Sequence, residues 1–239
     1  MKPPVSHALR LLGISALGLS LLTACPRQYT PPGPSASLSF TFPALTDTTD
    51  VRLAALAFER NEKTNGYDPK VVTSTSLYGP SNTAASLYLD GYTLKTWADN
   101  AKCTTPFLGG ETAGMQEVTV TPDTVRTCNI YFLMFRDANR NGTPESGEVL
   151  YETHDLYSYA TEAFTYRFVS PDGRSTETGT RTKGWSLVHH QVLQPTATPD
   201  RYLLSMNSVP QADEGLNIRL HEPTNAFTSQ SLPRAGGHK

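Results

Sequence analysis

Phe164-Thr165-Tyr166-Arg167-Phe168-Val169 places a ring at every second residue and runs directly into Ser170-Pro171-Asp172-Gly173-Arg174. Side chains of a strand alternate between two faces, so Phe164, Tyr166 and Phe168 share one face and Thr165, Arg167 and Val169 the other. Proline and glycine then stand where a β-turn wants one fixed φ and one free φ. Ser175–Arg181 is the return strand, polar enough to be expected on the surface.

The same signals recur along the chain. Ser37–Phe42 alternates strictly and points Leu38, Phe40 and Phe42 one way. Val51–Phe58 is an apolar run of strand length whose Ala and Leu content would also suit a short helix. Val71–Leu77 is rich in Thr, Ser and Val and stops at Tyr78-Gly79-Pro80. Ala85–Leu89 and Tyr92–Trp97 flank Asp90-Gly91, a two-residue signal for a primed hairpin turn. Glu117–Thr121, Asn129–Phe135, a strand opening at Val149–Tyr151, Trp185–Leu193, Tyr202–Asn207 and Leu216–His221 complete the set. No long segment has helical periodicity, and only Tyr157–Ala163 has room for a helical turn. About eleven strands at roughly regular spacing predict an all-β fold, either a β-sandwich or an open barrel.

Hydrophobic residues make up 38% of the chain and charged residues 18%. Such a composition buries a sizeable core and is not that of a disordered chain. The formal net charge is −2, with no basic run or stripe. That argues against a nucleic-acid partner.

Lys2 and Arg10 precede an uncharged run of Leu, Ile, Ala, Gly and Ser, closed by Leu22-Thr23-Ala24-Cys25. A positive region, an apolar region and small residues follow one another in the order of a secretory signal. The run is short of the ~20 residues a bilayer-spanning helix needs. Leu22-Thr23-Ala24-Cys25 resembles the lipobox in the type II signal peptides of bacterial lipoproteins. The resemblance implies cleavage after Ala24, a diacylated Cys25 as the new N-terminus, and a bacterial cell-envelope location, tethered to a membrane and facing periplasm or exterior. Two acyl chains hold a protein stably at a membrane where one does not. Residues 26–37, PRQYTPPGPSAS, carry four prolines and a glycine and predict an extended tether. The expected organisation is a signal peptide over 1–24, lipidated cysteine and tether over 25–37, a β-sandwich domain over 38–227 and a flexible tail over 228–239.

Export also sets the redox compartment. With Cys25 given to the lipid, Cys103 and Cys128 remain as a pair. They are expected to form a disulfide closing a loop of about 25 residues, worth about 3 kcal/mol on a chain-entropy estimate. Two buried free thiols are the alternative. A bridge would straddle any domain boundary near residue 122, which favours one β domain over two.

Residues 137–148, DANRNGTPESGE, fill every position of the D-x-[DN]-x-[DN]-G-x5-E calcium loop. Asp137, Asn139 and Asn141 would offer side-chain oxygens, and Gly142 the sharp turn. Thr143 would offer its carbonyl, Glu145 a direct or water-mediated contact, and Glu148 both carboxylate oxygens. An EF-hand needs flanking helices, whereas Ile130–Phe135 and Val149–Tyr151 read as strands. The loop therefore resembles the EF-like calcium loops that join β-strands in bacterial surface modules. That implies a structural Ca2+ clamp rather than a sensor, since no helix pair is there to open. Three carboxylates opposed by Arg140 predict an affinity of roughly 0.1–1 mM. A plain hairpin turn at Asn141-Gly142 is the alternative.

Other features carry less. His189 and His190 point to opposite faces of a strand and cannot share one metal, though either could meet His154 or His221 in space. Ser186 lies in Gly184-Trp185-Ser186-Leu187 rather than in a G-x-S-x-G elbow. Glu152, Asp155 and Glu162 would do glycosidase chemistry only if folding set their separation. Tyr151, Tyr157, Tyr159, Phe164, Tyr166 and Phe168 suit either a ligand-binding face or a sheet core. The expected function is that of a lipid-anchored β-sandwich with a structural, adhesive or ligand-binding role toward a protein or glycan, with no catalytic motif. An envelope hydrolase acting on glycan or ester bonds is the alternative. A transport solute-binding protein would want two α/β lobes, which a strand-only chain lacks.

Overall fold

A computed structural model describes residues 34–79, 82–109, 112, 114–145, 147–195, 197–198, 200–209 and 217–223. The signal peptide, Cys25, the tether up to residue 33, Leu216 and the tail from 228 lie outside the described residues. The elements are β1 (Ala36–Thr41), β2 (Val51–Asn61), β3 (Gly66–Ser76), β4 (Ala84–Leu89), α1 (Gly91–Asp99), β5 (Thr105–Pro106), β6 (Glu117–Thr121), β7 (Arg126–Arg136), β8 (Val149–Ala160), β9 (Phe164–Val169), β10 (Ser175–Arg181), β11 (Gly184–Leu193), β12 (Tyr202–Ser208) and β13 (Ile218–Arg219).

Strand β2 shows why these residues build a layered β structure. Val51, Leu53, Ala55 and Ala57 enter one apolar cluster, while Ala54 and Leu56 enter another. A strand buried on both faces has no polar alternation, so its sequence is a continuous apolar run. β2 pairs antiparallel with β3 on one side and β7 on the other. From there the large sheet continues in the order β3-β2-β7-β8-β11-β12-β10-β9-β6, with β5 added beside β7. Strands from both sides of residue 122 thus share one sheet. A second sheet, β13-β1-β4, lies against it. The fold is the all-β sandwich that the alternation predicts.

The main core lies between the sheets. Leu38 and Phe40 of β1, Leu87 and Leu89 of β4 and Ile218 of β13 meet Leu53, Ile130, Phe132 and Met134 of the large sheet. Phe40 and Phe132 contact edge to face with centroids 5.1 Å apart. Full burial of each such side chain stabilises the fold by about 1.5–3 kcal/mol. A second core forms on the opposite face, where Leu156, Val188, Phe164, Tyr166 and Met206 gather with Phe58, Phe107 and Phe168.

Three expectations need correction. Tyr92–Trp97 is not a strand after a hairpin turn; it belongs to helix α1. Asp90 accepts from the Thr93 backbone N–H at 2.9 Å and from its hydroxyl at 2.5 Å, and so caps the helix. Leu94 is fully buried in the main core, and Trp97 packs beside it. Tyr157–Ala163 holds no helical turn, because β8 runs through to Ala160. The return strand β10 is not simply exposed: Gly179 and Arg181 are buried. Among the described residues the strands number thirteen; two-residue β5 is too short to leave a pattern, whereas β13 falls within Leu216–His221.

Cys103 and Cys128 are disulfide-bonded, with Cα atoms 5.0 Å apart. The bridge fastens the segment after α1 to the start of β7.

Candidate functional site

The second core does not close completely. Phe107, just after β5, is held by a 3.0 Å bond from its N–H to the Val125 carbonyl. Its ring meets Phe164, Tyr166 and Phe168 of β9 at centroid distances of 4.7, 4.9 and 5.9 Å. Beneath this aromatic roof is a cavity of about 220 Å³, walled also by Phe58, Tyr131 and Met206. For scale, an apolar cavity of about 150 Å³ takes up benzene.

The charged groups of the cavity come from β10. Thr178 and Thr180 are exposed, whereas Gly179 and Arg181 face inward with Glu177. Gly179 is paired with Tyr166 across the β9–β10 ladder. A Cβ there would lie 2.1 Å from Tyr166 Cε1 and 2.7 Å from the Met206 carbonyl oxygen. Only glycine lets the ring lie across the neighbouring strand. That placement brings the Tyr166 hydroxyl to Glu177, to which it donates at 2.7 Å. Burial pushes the Glu177 carboxyl above its usual range, opposed by this bond and by the Arg181 charge. Burial, then the Glu177 charge, pushes the Tyr166 phenol upward too. The Arg181 guanidinium sits 6.0 Å from the Tyr166 ring centroid. Arg181 is 5% exposed, and its Nε has no hydrogen-bond partner among the described residues.

The predicted calcium loop connects β7 to β8, which pair antiparallel. Asp137 is buried, and both its oxygens accept from the Gly142 N–H, at 3.2 and 3.1 Å. Asn139 Oδ1 accepts from the Asn141 N–H at 3.0 Å, and Asn141 Oδ1 from the Thr143 N–H at 2.7 Å. Glu148 accepts from the Glu145 N–H at 3.1 Å. Arg140 and Gly142 take positive φ of 58° and 76°, so the chain curls tightly. Arg140 turns outward to Asp50, with two contacts of 3.2 Å. The Glu145 carboxylate turns to the Asn141 amide, 2.7 Å away. Oxygen-only donors suit a hard cation. Among the described residues, however, no three His, Cys, Asp or Glu side chains are gathered as a metal site would gather them.

The histidines separate as their strand placement requires. His189 is exposed and shares a 2.9 Å bond with Asp155, whose same oxygen accepts the His190 N–H at 2.8 Å. His190 turns to His154, with ring centroids 5.1 Å apart, and His221 stacks on His154 at 5.3 Å. Burial, with the His190 and His221 charges, pushes His154 down to about 3. Ser186 bonds Ser208 at 2.8 Å rather than a histidine. Glu162 is exposed, and Glu152 joins His221 through paired backbone bonds of 2.9 Å.

The aromatic cluster divides between the two faces. Phe164, Tyr166 and Phe168 belong to the cavity side. Tyr157, with Tyr151 and Tyr159 packed beside it, belongs to the main core, and its ring stacks on Trp185 at 5.6 Å. Sequence reasoning missed Glu177 and Arg181. The one signal that could have found them is the threonine at every second position of β10, which hands the opposite face to Glu177, Gly179 and Arg181. Comparison with known proteins found no matching family, no similar curated protein and no similar solved structure.

Proposed function

We propose that this protein is a lipid-anchored envelope protein that holds a small ligand in its second core, on the face of the large sheet opposite the main core. The observation that carries the ligand-binding half is the aromatic cavity between β9, β10 and the Phe107 segment, with charged side chains in its wall. Binding sites are concave and mostly apolar, with a few placed polar groups, and this cavity has that character. The lipobox at Leu22–Cys25 and the proline-rich tether support the anchored half. In the same reading a calcium ion clamps β7 to β8 through Asp137, Asn139, Asn141, Thr143, Glu145 and Glu148, and the Asp137 and Glu148 bonds pre-curl the loop for it.

Three measurements test this reading. Globomycin should accumulate a precursor that retains residues 1–24, and normal processing in its presence would refute lipidation. The full-length protein in dodecyl maltoside should gain melting temperature from small aromatic compounds such as benzyl alcohol and phenylacetate. A flat response to all of them would refute capture. Millimolar calcium should raise the melting temperature relative to chelator, and Asp137→Ala should abolish the rise; equal temperatures would remove the clamp.

A further inference from the structure

The cavity contains a cation that the fold itself does not fully use. Arg181 is 5% exposed, yet its Nε donor has no partner among the described residues. The nearby acid, Glu177, accepts from the Tyr166 hydroxyl at 2.7 Å and feels the Arg181 charge, but closes no bond to Nε. A buried guanidinium left with an idle donor is costly, and such groups are normally paired or hydrogen-bonded. A long, flexible, charged side chain buried only for packing would be better replaced by an apolar one. The wall also carries the apolar and aromatic side chains Phe107, Tyr166, Phe168 and Met206, beside polar Thr105, Thr127 and Asn129. The site thus offers two complementary recognition elements: a planar donor fork, which matches a carboxylate, and flat ring faces, which match an apolar or aromatic body.

Resting on the ligand-binding reading, we propose that the cavity takes small organic carboxylates, whose carboxylate meets the Arg181 guanidinium in the cavity wall while the ring or short chain lies against Phe107, Tyr166 and Phe168. The size is consistent, since the cavity of about 220 Å³ exceeds one that holds benzene by roughly the bulk of a carboxymethyl group.

The test is calorimetric titration of the full-length protein in dodecyl maltoside with phenylacetate, 4-phenylbutyrate, their amides and benzyl alcohol. Each titration is corrected by the same injection into detergent alone. The acids should bind at least tenfold more tightly than the amides, and Arg181→Gln should erase that difference while leaving benzyl alcohol binding in place. Equal binding of acid and amide overturns the carboxylate assignment and leaves capture of apolar ligands standing. A preference that survives Arg181→Gln overturns the role of Arg181. No binding of any compound overturns both this proposal and the reading beneath it. Should Arg181→Gln fail to fold, the acid–amide comparison on the unaltered protein still decides.

Discussion

Gly179 is where one missing atom sets the geometry of the site. Its Cα leaves room for the Tyr166 ring, and a methyl group would meet that ring at 2.1 Å and the Met206 carbonyl oxygen at 2.7 Å. The ring can rotate away only by leaving Glu177 and the aromatic roof, and the carbonyl belongs to backbone in β12. Gly179→Ala should therefore cost about 3 kcal/mol, the upper range of overpacking in a filled interior. Urea unfolding of the two proteins measures it, and a loss within experimental error would mean that Tyr166 does not lie over Gly179. His154 supplies the residue-scale pH dependence. The folded protein holds it at about 3, whereas an unfolded imidazole titrates near 6.5. The unfolded chain thus binds a proton that the native state refuses. Stability from this group is complete above about pH 6.5 and is lost as the pH falls toward 3, by up to about 1.4 kcal/mol per unit. Urea midpoints should drop between pH 7 and 5, and His154→Gln should flatten that slope. Parallel slopes in both proteins would refute the assignment.

At the scale of the element, legibility followed the physics of periodicity. Strands with one wet face, such as β9, announce both their existence and their orientation by alternation, and the bounds of β6 and β9 both match the sequence reading. β2 announced only its existence, because burial on both faces erases the period and leaves helix and strand open. β10 was legible as a strand but not as a wall of the site: its inward residues are Glu177, Gly179 and Arg181, and no hydropathy rule puts two charges inside. The candidate calcium loop was legible residue by residue because its chemistry is local, whereas the cavity joins β5, β9 and β10 across the sheet and leaves no contiguous motif. Asp90-Gly91 failed for another reason. The same dipeptide serves a primed hairpin turn and a helix N-cap, and what chose the helix was Leu94 docking in the main core, with the Trp185 indole donating to the Leu94 carbonyl at 3.0 Å. Asp90→Ala removes both bonds to Thr93 and should destabilise the protein by about 1 kcal/mol, while Asp90→Ser should recover most of it. A primed hairpin turn would also lose stability with alanine, which disfavours positive φ, but serine would not restore it, so urea denaturation of the pair separates the two structures.

For the molecule as a whole, the disulfide links stability to the site. Cys103 lines the cavity and is bonded to Cys128 on β7, 25 positions along the chain. The bridged segment contains β5 and Phe107, so the ring that roofs β9 hangs from a loop closed at both ends. Without the bridge, the segment keeps the two-residue β5–β7 pairing, the β6–β9 ladder and bonds such as the Phe107 N–H to Val125 carbonyl at 3.0 Å. Closing a loop of this length is worth about 3 kcal/mol on the chain-entropy estimate. For a chain of this size that corresponds to about 6–12 °C in melting temperature. The Cys103→Ser, Cys128→Ser double variant should melt lower by that amount. At temperatures where it is still folded, it should also bind benzyl alcohol more weakly than the parent, because an unpinned Phe107 must be ordered by the ligand at the ligand's expense. The two losses test different claims. A lower melting temperature with unchanged binding would leave the disulfide as a stabiliser only, and would show that the roof over β9 is held by ring packing alone. Thiol titration of the unfolded, unreduced parent protein supplies the control, since two free thiols there would remove the bridge from the argument altogether.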